Sequence, residues 1–199
     1  MPRISPTTHV LHIKNMVCPQ CVRVVSEDLA ALGLRVGQVK LGYAEIKTAG
    51  RTPPDLVPIR AMLQAAGFEL LEDARSQLVE RMKNLLVELV HYTPAQEPPQ
   101  KLSDYLVQHL GRDYHYLSHL FSAEEGLTIE KFFIRQKVER AKELLSYGEL
   151  NASQVAHELG YSSLAHFSNQ FRQVTGLTPT NYLKLGPAND ARRSLDALS

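Results

Sequence analysis

The sequence predicts an α+β chain in two parts, a small unit of element order β-α-β-β-α-β up to residue 71 and an all-helical unit after it. Three observations carry this. From Thr8 to Leu71, short runs rich in β-branched and apolar residues alternate with helical patterns. From Glu72 onward, apolar residues recur at three- and four-residue steps, broken only at glycines and prolines. Within that second part, a pair of short helices joined by a glycine-containing turn occurs twice. At 199 residues with 44% hydrophobic content, the chain has room for two small cores.

Thr8–Lys14 reads as the first strand, and Asn15-Met-Val-Cys-Pro-Gln-Cys21 as the loop after it. Val22, Val25, Leu29 and Leu32 then share one face of a helix that closes at Gly33. Val36–Leu41 and Tyr43–Lys47 are two strands that turn at Gly42. A second helix, Leu56–Ala66, enters after Pro53-Pro54 and stops at Gly67, and Phe68–Leu71 is the last strand. This order is the ferredoxin-like βαββαβ arrangement, in which two helices cover one face of an antiparallel sheet.

Cys18 and Cys21 are the chain's two cysteines. Two residues apart, in a reducing compartment, they point to a metal or redox role rather than a structural disulfide. They flank a helix N-terminus, whose partial positive charge favours thiolate, and sulfur ligands select soft ions. Met16-Val-Cys-Pro-Gln-Cys21 between first strand and first helix resembles the heavy-metal-associated, copper-chaperone-like domains. The resemblance spans residues 8–71 and rests on the Cys motif, the element order and Gly67-Phe68. It implies a soft metal ion such as Cu(I) held by Cys18 and Cys21. Pro19 and Gln20 replace the small residues common there, which stiffens the loop. The same pair also fits a thiol redox sensor closing to a disulfide, a thiol oxidoreductase, or a unit whose role is dimerisation. Met16 is read as a core side chain, and His9 and His12 as surface histidines.

Residues 72–92 form a connecting helix whose Leu78, Met82, Leu85, Leu89 and Tyr92 follow steps of four, three, four and three. That is a heptad seam two heptads long, which either buries its stripe in the second domain or adds a homodimer contact through Leu86, Val90 or its edge. The proline-rich run Thr93–Gln100 ends the helix. The second domain, residues 93–186, starts with helices Lys101–Leu110 and Arg112–Glu124. A long helix, Thr128–Tyr147, joins this pair to Asn151–Gly160 and to a last stripe of Leu164, Phe167, Phe171 and Val174. Residues 187–199 are a tail.

Gly160-Tyr-Ser-Ser, His166-Phe-Ser, Gln170-Phe-Arg, Thr175-Gly and Leu177-Thr-Pro-Thr-Asn-Tyr182 stand in one register. That register resembles the carboxy-terminal signature of AraC-type transcriptional regulators. Leu117-Ser-His-Leu-Phe121 with Glu125-Gly-Leu-Thr-Ile129 resembles the upstream helix-turn-helix of the same family. The resemblance implies an all-α double helix-turn-helix domain that reads double-stranded DNA, its two recognition helices held by a rigid spacer to enter successive major grooves about 34 Å apart. It implies base-facing positions at His115, Ser118 and His119 in the first helix and at Leu164, Ala165, His166 and Asn169 in the second. The sequence departs from relatives with Arg at the His119 and Asn169 positions, which weakens guanine readout there. Arg112, Arg135, Lys137 and Arg172 are the phosphate candidates.

Charge gives no help to this reading. The net formal charge is +1, and between Glu72 and Lys184 twelve Lys and Arg face fourteen Asp and Glu, so bulk attraction to DNA is weak. No apolar run approaches a membrane span, and the start Met-Pro-Arg-Ile-Ser-Pro lacks a signal-peptide core. A cytoplasmic regulator acting with RNA polymerase is the expectation. No acid/base constellation or nucleotide loop points to an enzyme.

Overall fold

Alternation along β1 (Pro6–Lys14) decides how the first unit layers, because successive side chains of a strand point to opposite faces. Leu11 and Ile13 are buried while Thr8 and Val10 are exposed. The computed structural model describes residues 6–50, 52–93 and 101–185. The expectations for the amino-terminal residues before these, for the proline run within 94–100 and for the tail 187–199 lie outside the described residues. β1 is followed by α1 (Pro19–Ala31), β2 (Arg35–Lys40), β3 (Tyr43–Ala49), α2 (Leu56–Ala65) and β4 (Glu69–Leu71). The strands form an antiparallel sheet of order β2-β3-β1-β4, with Leu11 opposite Ala44 and Ile13 opposite Leu70. Leu11, Ile13, Ala44 and Ile46 on one sheet face close a core with Val25 and Leu29 of α1 and Ile59 and Leu63 of α2.

Glycine is required at the β2–β3 turn. Gly42 has φ +76, and a Cβ there would stand 1.8 Å from Nδ2 of Asn84. Asn84 lies on α3 (Ala74–His91), and Gln77 of the same helix donates to the Leu71 carbonyl at 2.8 Å. The chain divides into two compact units, Met1–Asn84 and Leu85–Ser199, so the division falls inside α3.

The seam expected on α3 is displaced. Val79, Met82, Leu86 and Val87 are the buried apolar residues, whereas Leu78, Leu85 and Leu89 are only partly buried and Tyr92 is 56% exposed. α3 is apolar around much of its circumference, so periodicity admits several stripes and tertiary packing selects one. Leu86, one of the positions that the sequence leaves open to a dimer contact, is fully buried within the chain. Buried charges accompany the stripe: Lys83 Nζ lies 3.7 Å from the Glu80 carboxylate, one turn back.

The second unit continues with α4 (Leu102–Leu110), α5 (Tyr114–Glu125), α6 (Ile129–Tyr147), α7 (Ala152–Glu158), α8 (Leu164–Thr175) and α9 (Pro179–Leu185). Local chemistry fixes the helix ends. Asp113, Thr128, Asn151 and Ser163 cap α5, α6, α7 and α8, and Gln154 completes a capping box with Asn151. α6 buries Val138, Ala141 and Leu145 against Val155 and Ala156 of α7, Phe167 and Phe171 of α8 and Tyr182 of α9. Rings there meet edge-on, Phe171 lying 5.6 Å from both Phe167 and Tyr182.

Two apolar expectations on α8 fail. Leu164 is 45% and Val174 36% exposed, and the stripe narrows to Phe167 and Phe171. Leu164 is the first residue of the helix, so its side chain leans out over the preceding turn rather than onto the core. The described residues hold no helix long and apolar enough to cross a membrane.

Candidate nucleic-acid interface

The two helix-turn-helix halves repeat with a spacing of fifty residues. Asp113 and Ser163 are N-caps, Phe121 and Phe171 are buried, and Gly126 and Gly176 are left-handed C-caps donating to the Ser122 and Arg172 carbonyls. Both helices therefore present the same face. At about 100° per residue, Ala165, Asn169 and Arg172 fall within about 60° of one another, opposite Phe167 and Phe171. All three are exposed. His115, His119 and Ser122 hold the corresponding places on α5; both histidines are exposed and Ser122 is half-buried.

The remaining expected contacts divide by position. Leu164 and His166 are exposed at the start of α8, where His166 Nδ1 lies 3.3 Å from Ser162 Oγ and its ring stands edge-on to Tyr161 at 5.4 Å. Ser118 is half-buried, and Arg112 and Arg172 are exposed. Arg135 and Lys137 lie half-buried on α6. Lys137 departs from the open placement expected of a phosphate ligand: its ammonium stands 4.9 Å from the Tyr161 ring centroid and 5.1 Å from that of Phe133. Burial lowers its pKa and pushes the Tyr161 hydroxyl up to about 12. A long aliphatic stem lets a lysine reach such a position. Two exposed residues beside the presented faces were not among the expected contacts, Tyr116 and Gln173. The fifty-residue spacing is the signal that finds Tyr116, because it stands where His166 does.

Cys18 is the N-cap of α1 and Cys21 lies in its first turn, both half-buried, with their sulfurs 3.3 Å apart. The Asn15 side chain, on a residue with φ 74, donates to the Gly67 carbonyl at 3.2 Å and ties this loop to the α2–β4 turn. Met16 is 1% exposed in the sheet core. Burial, and then the hydrogen bond with Cys18, raises the Cys21 pKa, against the expected helix-end preference for thiolate. His9 and His12 are partly buried rather than surface residues: His9 Nε2 lies 3.0 Å from Thr48 Oγ1, and burial followed by Arg81 lowers the His12 pKa. Among the described residues no three His, Cys, Asp or Glu side chains gather as ligands. Two sulfurs at this separation still reach one ion through bonds of about 2.3 Å, and a two-sulfur donor set suits a soft ion.

Residues 106–185 match the family described as "Helix-turn-helix domain". The carboxy-terminal unit holds a helix-turn-helix domain, similar to those of transcriptional regulators. This domain is 36% identical over 63 residues to the probable transcriptional regulator LumQ of Photobacterium leiognathi, covering 32% of this chain and 25% of that one. It is 29% identical over 77 residues to the arabinose operon regulatory protein of Escherichia coli, covering 39% and 26%. The regulatory protein PocR of Salmonella typhimurium is 28% identical over 103 residues, covering 45% and 34%. The chain thus spans between a quarter and about a third of the length of these relatives. Among solved structures, the carboxy-terminal domain of the response regulator AraT from Geobacillus stearothermophilus aligns with TM-score 0.48 and 22% identity, over 60% of this chain and 96% of that one. The names are those of regulators rather than enzymes.

Proposed function

We propose that the chain is a sequence-specific regulator of transcription that binds double-stranded DNA through α5 and α8. The observation that carries this is the fifty-residue repeat, which sets two helices in one frame with matched exposed faces. Asn169 stands at the middle of the α8 face, where a side-chain amide can bond adenine in two places. Arg112 and Arg172 serve phosphates. The test uses a duplex site selected from a randomised pool. Asn169→Ala should lose about 1–3 kcal/mol of binding to that site, with binding to random duplex nearly unchanged. Equal weakening on both would remove Asn169 from base reading.

The amino-terminal unit, in this reading, is a ferredoxin-like, heavy-metal-associated sensor in which Cys18 and Cys21 hold a soft ion such as Cu(I). Nearness of the two sulfurs and their half-buried setting support it. A titration of reduced protein with Cu(I), followed by thiolate absorbance and DNA affinity together, is the test. The double variant Cys18→Ser, Cys21→Ser should lose both stoichiometric binding and any shift in DNA affinity. If ion binding moves DNA affinity, DNA must move ion affinity by the same factor. The 3.3 Å separation of the sulfurs favours a second reading, a thiol pair that closes to a disulfide. Two thiols would then lose two protons and two electrons to a disulfide oxidant such as oxidised glutathione. Ion-independent DNA binding that changes on oxidation would select it.

A further inference from the structure

The two halves of the repeat differ in charge where they agree in shape. Helix α5 and its cap carry Asp113, Glu124 and Glu125 and no Lys or Arg, with Arg112 just ahead of the cap. Helix α8 and its cap carry Arg172 and no carboxylate. At the end of α5 that leads its exposed face, the contrast is sharper. Asp113 accepts from the His115 and Tyr116 backbone N–H groups at 2.9 and 3.2 Å. The Tyr114 hydroxyl donates to the Glu130 carboxylate, holding that charge beside the first turn. Fifty residues on, these positions are Ser163 and Thr180. Ser163 caps with a neutral hydroxyl that accepts from His166 N–H at 3.1 Å.

We infer that Asp113 and Glu130 restrain the first reading helix electrostatically, so that α8 carries most of the DNA affinity and α5 contributes a weak, selective contact. The inference rests on the DNA-reading proposal and says how the load is divided. Its physical basis is that DNA phosphates dominate affinity: at α5 the fixed carboxylates offset the attraction of the neighbouring Arg112, while at α8 no carboxylate of the helix or its cap offsets Arg172. Both carboxylates are anchored by hydrogen bonds and cannot swing away without giving those up. Glu130 stays ionised, since the Tyr114 hydrogen bond, its first cause of shift, lowers its pKa. Capping does not need the Asp113 charge, because Ser, the cap used by α8, serves a helix N-terminus about as well as Asp.

The experiment copies the second half into the first. Asp113→Ser and, separately, Glu130→Gln are compared with wild-type full-length chain on the duplex selected by the wild type, across a series of salt concentrations. Each variant should bind about two- to fivefold more tightly at low salt, the size of an exposed charge interaction. The gain should shrink as salt screens it. Protection of the half-site facing α5 should strengthen, that facing α8 should not. Arg172→Ala, in contrast, should weaken binding and flatten the salt dependence. Thermal unfolding of each variant shows that the cap still holds. Specific binding by the wild type with no gain, or a salt-independent gain, in a stably folded Asp113→Ser and Glu130→Gln would overturn the division of load while leaving DNA reading in place. A wild type that selects no sequence would overturn both.

Discussion

Mildly acid pH should weaken the fold of the carboxy-terminal unit through His91, and the effect can be isolated by one substitution. His91 closes α3 with its side chain 9% exposed, Nδ1 3.8 Å from a Glu143 carboxylate oxygen that Arg140 of α6 also holds at 2.9 Å. Its other ring nitrogen, Nε2, is buried without a hydrogen-bond partner among the described residues. Burial, the largest cause, lowers its pKa below the ordinary 6.5; Glu143 opposes this and Arg140 reinforces it. The unfolded chain therefore takes up the proton at a higher pH than the folded one. Stability from this residue is complete above pH 6.5, declines as pH falls towards the folded pKa, and is lost below it. One proton gives a slope of at most about 1.4 kcal/mol per pH unit. His12 in the other unit shifts the same way, by burial and then Arg81, so the measurement must be differential. Urea unfolding of wild type and His91→Leu at about pH 7.5 and about pH 5.5 should show a smaller acid loss in the variant. Equal losses in the two proteins would refute the assignment of the titration to His91.

Two further substitutions test packing and backbone. Phe171→Ala removes a fully buried ring that meets Phe167 and Tyr182, and should cost about 3–5 kcal/mol in denaturant unfolding; a cost under about 1 kcal/mol would mean the α8 core is not packed as described. Gly42→Ala meets both a left-handed φ and the Asn84 amide. It should cost about 1–2 kcal/mol from the backbone alone plus the displacement of Asn84, and adding Asn84→Ala should return only the second part. Full recovery in the double variant would show that φ is not the constraint.

The strand and helix order was legible because the punctuation is chemical. Gly33, Gly42, Gly67, Gly111, Gly126, Gly148, Gly160 and Gly176 all take positive φ in the structure, and each ends an element that periodicity had already outlined. The exposed faces of α5 and α8 were legible for a related reason, since the buried Phe121 and Phe171 fix the rotation of their helices. Where the pattern is over-determined, it misled. On α3, adjacent apolar residues such as Leu85-Leu86-Val87 satisfy more than one stripe, and only tertiary contact chooses between them. Burial of polar side chains was illegible altogether. Gln136 is fully buried with neither amide atom bonded among the described residues, and Glu139 is 8% exposed beside Lys142 at 3.0 Å; no local signal in an amphipathic helix marks such residues as interior. The Cys21 thiol shows the same limit, because the helix end is visible in sequence and the desolvation that outweighs it is not.

Helix α6 sets an angle as well as a length. It packs on α5 at one end and on α7, α8 and α9 beyond, so whatever direction α8 faces is handed to it by the turn count of α6. One residue inserted there would slide the following helices by only about 1.5 Å but swing them by about 100°. Three or four inserted residues would bring the heading back to within about 60° or 40° of its starting value. Length change in this segment is therefore admissible only in near-whole turns, and the phase between the chain's two halves can drift by substitution but not by small steps of insertion or deletion.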